Sequence, residues 1–196
     1  MKFDIARQPL VPAFMTLFAL AVAAMCAGIP VPDTETSGAV REALPLLGGQ
    51  LARFQAAYPV WSKFAAGFML LFAGMCTGRI SIRYNLYTVG TCLPIPLYAI
   101  VACGIATGGN YLAGFAASML LALATKNYCR AFCNGYGFDA IFRASLYLGL
   151  MPLIYAPALP LLLLLPLAVL LFRRTFREVV VATAGLLLPI FTACYV

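Results

Sequence analysis

ASLYLGLMPLIYAPALPLLLLLPLAVLLF, residues 144–172, carries no charge along its whole length and is bracketed by basic residues on both sides. Lys126, Arg130 and Arg143 precede it; Arg173, Arg174 and Arg177 follow. Basic joints stay on the cytoplasmic side of a bilayer, so two of them in succession require an even number of crossings between them. Ala156-Pro157, with Pro152 and Pro160 beside it, supplies the turn. The stretch therefore reads as parts of two short spans, 138–155 and 157–172, both tight for a membrane and implying local thinning or snorkelling.

The same charge rhythm continues towards the amino terminus. Lys2 and Arg7 precede a first apolar stretch, Arg79 and Arg83 follow a second, and Lys126 and Arg130 follow a fourth. The joints between these carry acids or no charge. The spacing predicts seven spans, at about 10–29, 58–78, 89–107, 111–125, 138–155, 157–172 and 179–196, with the amino terminus cytoplasmic. Ten of the 13 basic residues then face the cytoplasm, and Arg41, Arg53 and Lys63 do not. Composition agrees: 64% of the 196 residues are hydrophobic and 10% charged, against about 25% charged in a soluble domain. Lipid offers the backbone no hydrogen-bond partners, so spans are helices or closed barrels. Barrel strands alternate apolar and polar, and Leu161 to Leu165 does not. The net charge of +7 brackets apolar spans instead of forming one patch, which argues against nucleic acid as a partner.

The first stretch is too long for a signal-peptide core, and bulky Met25 before Cys26 makes a poor lipoprotein site, so an uncleaved anchor is expected. The one long polar connection, 30–59, opens with Pro30, Pro32, Asp33, Thr34, Glu35, Thr36 and Ser37. Val40, Leu44, Leu47, Leu51, Phe54 and Tyr58 then recur at helical spacing, with Arg41, Gln50 and Arg53 on other faces. This predicts an amphipathic helix, either on the membrane surface or packed on the bundle, which Gly48-Gly49 can divide. Pro94 and Pro96 kink the third span or delay its start. The short fourth span has room to extend into 126–134. The chain ends within an apolar stretch, so the expectation is that further protein follows or that this is a truncated gene product. The expected fold is all-α: one integral-membrane domain over 1–196, a polytopic transmembrane helical bundle of about seven spans plus one amphipathic surface helix.

Four motifs resemble a family of bacterial polytopic inner-membrane proteins of unknown function, some of which carry a carotene monooxygenase name. They are Arg83-Tyr84-Asn85-Leu86-Tyr87, then Gly137-Phe138-Asp139-Ala140, then the runs Leu146 to Leu150 and Tyr155 to Leu159, and last Arg174 to Glu178 with Gly185 to Pro189. The resemblance implies a multi-pass protein of the bacterial inner membrane, with relatives that continue beyond this chain. It implies no oxygenase: carotene cleavage uses four His on iron, and this chain has no His. The lack of His also removes His-based acid–base catalysis and His metal ligation. None of the seven Cys forms a Cys-x-x-Cys pair, so neither a metal nor another cofactor is expected.

Three constellations are candidates for function. Asp33 and Glu35 sit where membrane-embedded glycosyltransferases of the GT-C type, which this plan is similar to, place an acid in the first outer loop. That similarity implies a catalytic acid and a polyprenyl-phosphate sugar as donor; the plainer reading is a solvated acidic loop. Lys126, Arg130 and Arg143 are candidates for holding a lipid phosphate, with Asp139 and Arg143 one helical turn apart as a structural ion pair. Arg79 and Arg83 form a second candidate phosphate site or, alternatively, partners for Asp139 across the bundle, against a plain snorkelling role. Membrane lipids and other membrane proteins are the remaining expected partners. The function expected is lipid-linked glycosyl transfer or, alternatively, a non-catalytic scaffold or assembly subunit. Small-residue patterns at Ala113-x-x-x-Ala117 and Gly104-x-x-x-Gly108 would let helices approach closely.

Overall fold

The computed structural model describes residues 10–26, 46–84, 92–106, 110–133, 137–163 and 175–195. Among these residues every regular element is helical. In chain order they are α1 (Leu10–Cys26), α2 (Leu46–Ala57), α3 (Pro59–Arg83), α4 (Pro94–Ala106), α5 (Tyr111–Cys133), α6 (Phe138–Ile154), a 3₁₀ helix (Ala156–Leu163) and α7 (Phe176–Tyr195). Proline sets two of the starts. Pro59 and Pro94 are each the first residue of a helix, where the missing N–H has no intrahelical partner to lose. The delay expected at Pro94 is thus observed. The fourth apolar stretch does run on, through Lys126 to Cys133.

Among the described residues two helices are long and apolar enough to cross a membrane, α3 and α7. The seven-span expectation is met in part only, and the lengths show why. α4 has 13 residues, about 20 Å at 1.5 Å each, against a hydrocarbon thickness of about 30 Å. In α5 the apolar part stops at Thr125, and the polar turn from Lys126 follows. The break expected at Ala156-Pro157 is present: α6 ends at Ile154 and a 3₁₀ helix begins at Ala156. Residues 157–163, expected to open an α-helical span, are instead 3₁₀. Pro157 and Pro160 stand three apart, the 3₁₀ repeat, and Pro160, inside the helix, removes a donor that an α-helix would use.

The chain divides into two compact units, Met1–Pro32 with Phe54–Met119, and Asp33–Arg53 with Leu120–Val196. In the first, α1, α3 and α4 pack on one another. The packed face of α3 is built of small residues: Ser62, Ala66, Gly67, Ala73, Gly74 and Gly78 are all buried. Met25 and Leu17 of α1 fill the space over Gly67 and Gly74, and Ile95 of α4 that over Gly78. Three polar contacts tie α5 into this unit. Ser62 donates to the Pro59 carbonyl at 2.8 Å, which leaves the Tyr111 hydroxyl to donate to Ser62 at 2.5 Å. Gln55 Oε1 accepts the Leu112 N–H at 3.3 Å, satisfying a donor that the first turn of a helix cannot use internally. By the same logic the Tyr98 hydroxyl donates to Ser118 at 3.1 Å, because Ser118 donates to the Phe115 carbonyl.

In the second unit α6 packs closely on α7. Gly149 lies against the Leu186 carbonyl and Pro189, and Gly185 lies against the Phe142 carbonyl and Ser145. The contact is reciprocal, each helix offering a glycine to the other's backbone, which allows Cα–H···O approach as well as dispersion. α7 opens with the acidic half of a capping box: the Glu178 carboxylate accepts the Thr175 N–H at 3.2 Å. The Glu178 N–H itself makes a backbone turn bond to the Thr175 carbonyl at 3.0 Å. Glu178 is 2% exposed, so this carboxylate spends at least part of its hydrogen-bonding capacity on the helix start.

Candidate functional site

Hydroxyls along the helices mostly return to their own backbone. Thr16 donates to Ala13, Thr77 to Gly74, Thr183 to Val180 and Thr192 to Pro189, each near 2.8–2.9 Å. Such bonds keep a hydroxyl satisfied where no water is present. They leave the outward faces apolar, and α3 shows this most fully.

Opposite its small-residue face, α3 exposes Trp61, Phe64, Phe68, Phe72 and Met75, then Arg79 and Arg83. The steps are three or four residues throughout, so all seven lie on one side of the helix. Trp61 is 69% and Phe68 68% exposed; no soluble helix gains by presenting such side chains to water. Phe68 and Phe72 stack with centroids 6.4 Å apart, and Trp61 and Phe64 stand at 6.5 Å. At the Trp61 end the stripe widens into an open groove of about 530 Å³, lined by Phe54, Tyr58, Trp61, Phe64, Ala65 and Phe68. At the other end stand the two arginines, both exposed and neither paired with a carboxylate among the described residues. Arg83 lies in the last turn of the helix, which favours a cation because the unpaired carbonyls there carry partial negative charge.

The remaining candidates are placed less tightly. Asp139 and Arg143 form an ion pair at 3.0 Å, with side chains 68% and 58% exposed. At that exposure the pair contributes only a few tenths of a kcal/mol. Asp139 also lies in the first turn of α6, where its charge suits the helix end. Lys126 is half-buried and Arg130 exposed on α5; with Arg143 they share no common partner among the described residues. Asp33 and Glu35 lie outside the described residues, as do Arg173 and Arg174. Arg177 is exposed. Among the described residues no cluster of Cys, Asp and Glu has metal-binding geometry.

One polar feature has no sequence-level forecast. Tyr128 of α5 and Ser145 of α6 bury hydroxyls that close no hydrogen bond. Tyr128 lies beyond the apolar part of α5. Burial pushes its phenol above the ordinary value, and the nearby Ser145 hydroxyl offsets part of that without reaching bonding geometry. The α3 stripe, by contrast, has a legible signal in Trp61-x-x-Phe64-x-x-x-Phe68-x-x-x-Phe72. The return of Glu178 to the Thr175 N–H has one in Thr175-x-x-Glu178. Compared with known proteins, the chain matches no family model, no curated protein and no solved structure.

Proposed function

We propose that this chain is a multi-pass protein of the bacterial inner membrane, with its amino terminus cytoplasmic. In this reading it works as a non-catalytic scaffold that holds lipid and other membrane proteins against its apolar helix faces. The two-faced build of α3 carries the proposal: small residues packed inward, aromatic residues outward, and arginines at one end. From Trp61 to Arg79 is about 27 Å and to Arg83 about 33 Å along the axis, bracketing the hydrocarbon thickness of about 30 Å. Tryptophan at one boundary and arginine at the other is the arrangement a spanning helix adopts, and the arginine end is then cytoplasmic. Seven crossings follow from the charge rhythm. Reporter fusions test this directly: one after Asn110 reads outside and one after Arg130 reads inside. The same compartment for both would refute the topology.

A second reading, glycosyl transfer from a polyprenyl-phosphate sugar, is favoured by the Asp33-x-Glu35 pair in the long polar connection. It requires an ionised carboxylate at the bilayer surface to act as base. Asp33→Asn and Glu35→Gln in a complementation assay separate the two. A scaffold retains function in both variants; a transferase loses it in at least one.

A further inference from the structure

We propose that Arg79 and Arg83 hold the phosphate of an anionic phospholipid in the cytoplasmic leaflet, with the lipid's acyl chain lying along Met75, Phe72 and Phe68. The inference rests on the membrane reading above. Residues four apart on a helix stand about 6 Å apart at Cβ, so two guanidinium groups can close on one phosphate. Two like charges one turn apart repel, and neither arginine has a carboxylate partner among the described residues. An anion relieves that repulsion, and a phosphate offers each guanidinium fork an oxygen acceptor.

The rest of the face selects a lipid over a free ion. Met75 is 42%, Phe72 39% and Phe68 68% exposed, and they continue the arginine stripe away from the helix end. Arg79 and Phe68 are eleven residues apart, about 16 Å along the helix, close to half of a hydrocarbon core of about 30 Å. A phosphate at Arg79 therefore sets its acyl chain beside these three side chains for the depth of one leaflet. Free phosphate would gain nothing from them. The buried side of the same helix, with Gly74, Gly78 and Ile80 packed inward, keeps the arginines turned to the lipid-facing side.

The test uses the full chain purified in a zwitterionic detergent and titrated with fluorescent phosphatidylglycerol or phosphatidylcholine of identical tails. The wild type is expected to prefer phosphatidylglycerol. At about a factor of five for each arginine near an anionic surface, Arg79→Gln with Arg83→Gln weakens phosphatidylglycerol binding roughly thirty-fold. Phosphatidylcholine, whose phosphate charge is offset by its own choline cation, loses much less, and Arg177→Gln has no effect. Should the double variant fail to insert, Arg83→Gln alone is read, with a loss of about five-fold expected. Equal binding of the two lipids by the wild type, or an unchanged double variant, overturns the proposal and leaves the membrane reading standing. Displacement of the lipid by an equal concentration of inorganic phosphate also overturns it, in favour of a free-phosphate site. A chain that stays soluble without detergent or lipid removes the membrane reading itself.

Discussion

Gly149→Ala tests the backbone contact between α6 and α7. The new Cβ would stand 2.5 Å from the Leu186 carbonyl oxygen and 3.0 Å from Pro189 Cγ, where ordinary contact begins near 3.4 Å. The carbonyl is backbone and cannot rotate away, so α6 and α7 must separate by most of an ångström. Overpacking costs about 1–3 kcal/mol, and a backbone clash belongs at the upper end. Replacing glycine inside a helix returns about 1 kcal/mol through propensity. The balance is a net loss of about 2 kcal/mol. Gly67→Ala is the internal control. Its Cβ first meets the Met25 sulfur at 2.6 Å, the far end of a flexible thioether that can swing aside, so the two effects nearly cancel. Reversible unfolding of the purified chain in mixed micelles, followed by far-ultraviolet circular dichroism, measures both. A Gly149→Ala variant that loses no more stability than Gly67→Ala would refute the α6–α7 packing argument.

Two further outcomes follow from the same structure. Ser62→Ala strands the buried Tyr111 hydroxyl and costs about 1–3 kcal/mol, whereas Tyr111→Phe leaves Ser62 bonded to the Pro59 carbonyl and costs about 1 kcal/mol; the same unfolding assay ranks them. Gly49→Ala in α2 meets nothing within 4 Å and stabilises by up to about 1 kcal/mol through helix propensity alone, so a destabilised variant would show that α2 needs that glycine.

Helix type and helix breaks were legible in the sequence because proline acts locally. Pro94 fixes the start of α4, and Ala156-Pro157 ends α6, whatever surrounds them. The extension of α5 was legible too, since nothing between Thr125 and Cys133 breaks a helix. The 3₁₀ geometry after Ala156 was not foreseen, although the three-residue spacing of Pro157 and Pro160 marks it. Close packing was less readable. Of the two small-residue patterns singled out, Ala113 and Ala117 are both buried, while Gly104 is exposed with nothing within 4 Å of its missing side chain. The contacts that do bring backbones together, Gly149 and Gly185, depend on which helices meet, and spacing within one helix does not specify that. The outward stripe of α3 was written in its aromatic spacing. It gains meaning only beside the small residues of the opposite face, which show that this side is turned away from the packed interior. For the acids at Asp33 and Glu35 the sequence supplied a role by similarity to the GT-C plan; these residues lie outside the described ones.

Trp61 is the chain's single tryptophan, and it sits at the exposed aromatic end of α3. Its fluorescence therefore reports directly on what covers that face. In vesicles whose phospholipids carry bromine at either shallow or deep acyl positions, the membrane account predicts strong quenching by the shallow label. The deep label quenches weakly, and aqueous iodide has little effect. Emission fully quenched by iodide and indifferent to both brominated lipids would place Trp61 in water and contradict the claim that α3 crosses the bilayer with its aromatic face in lipid.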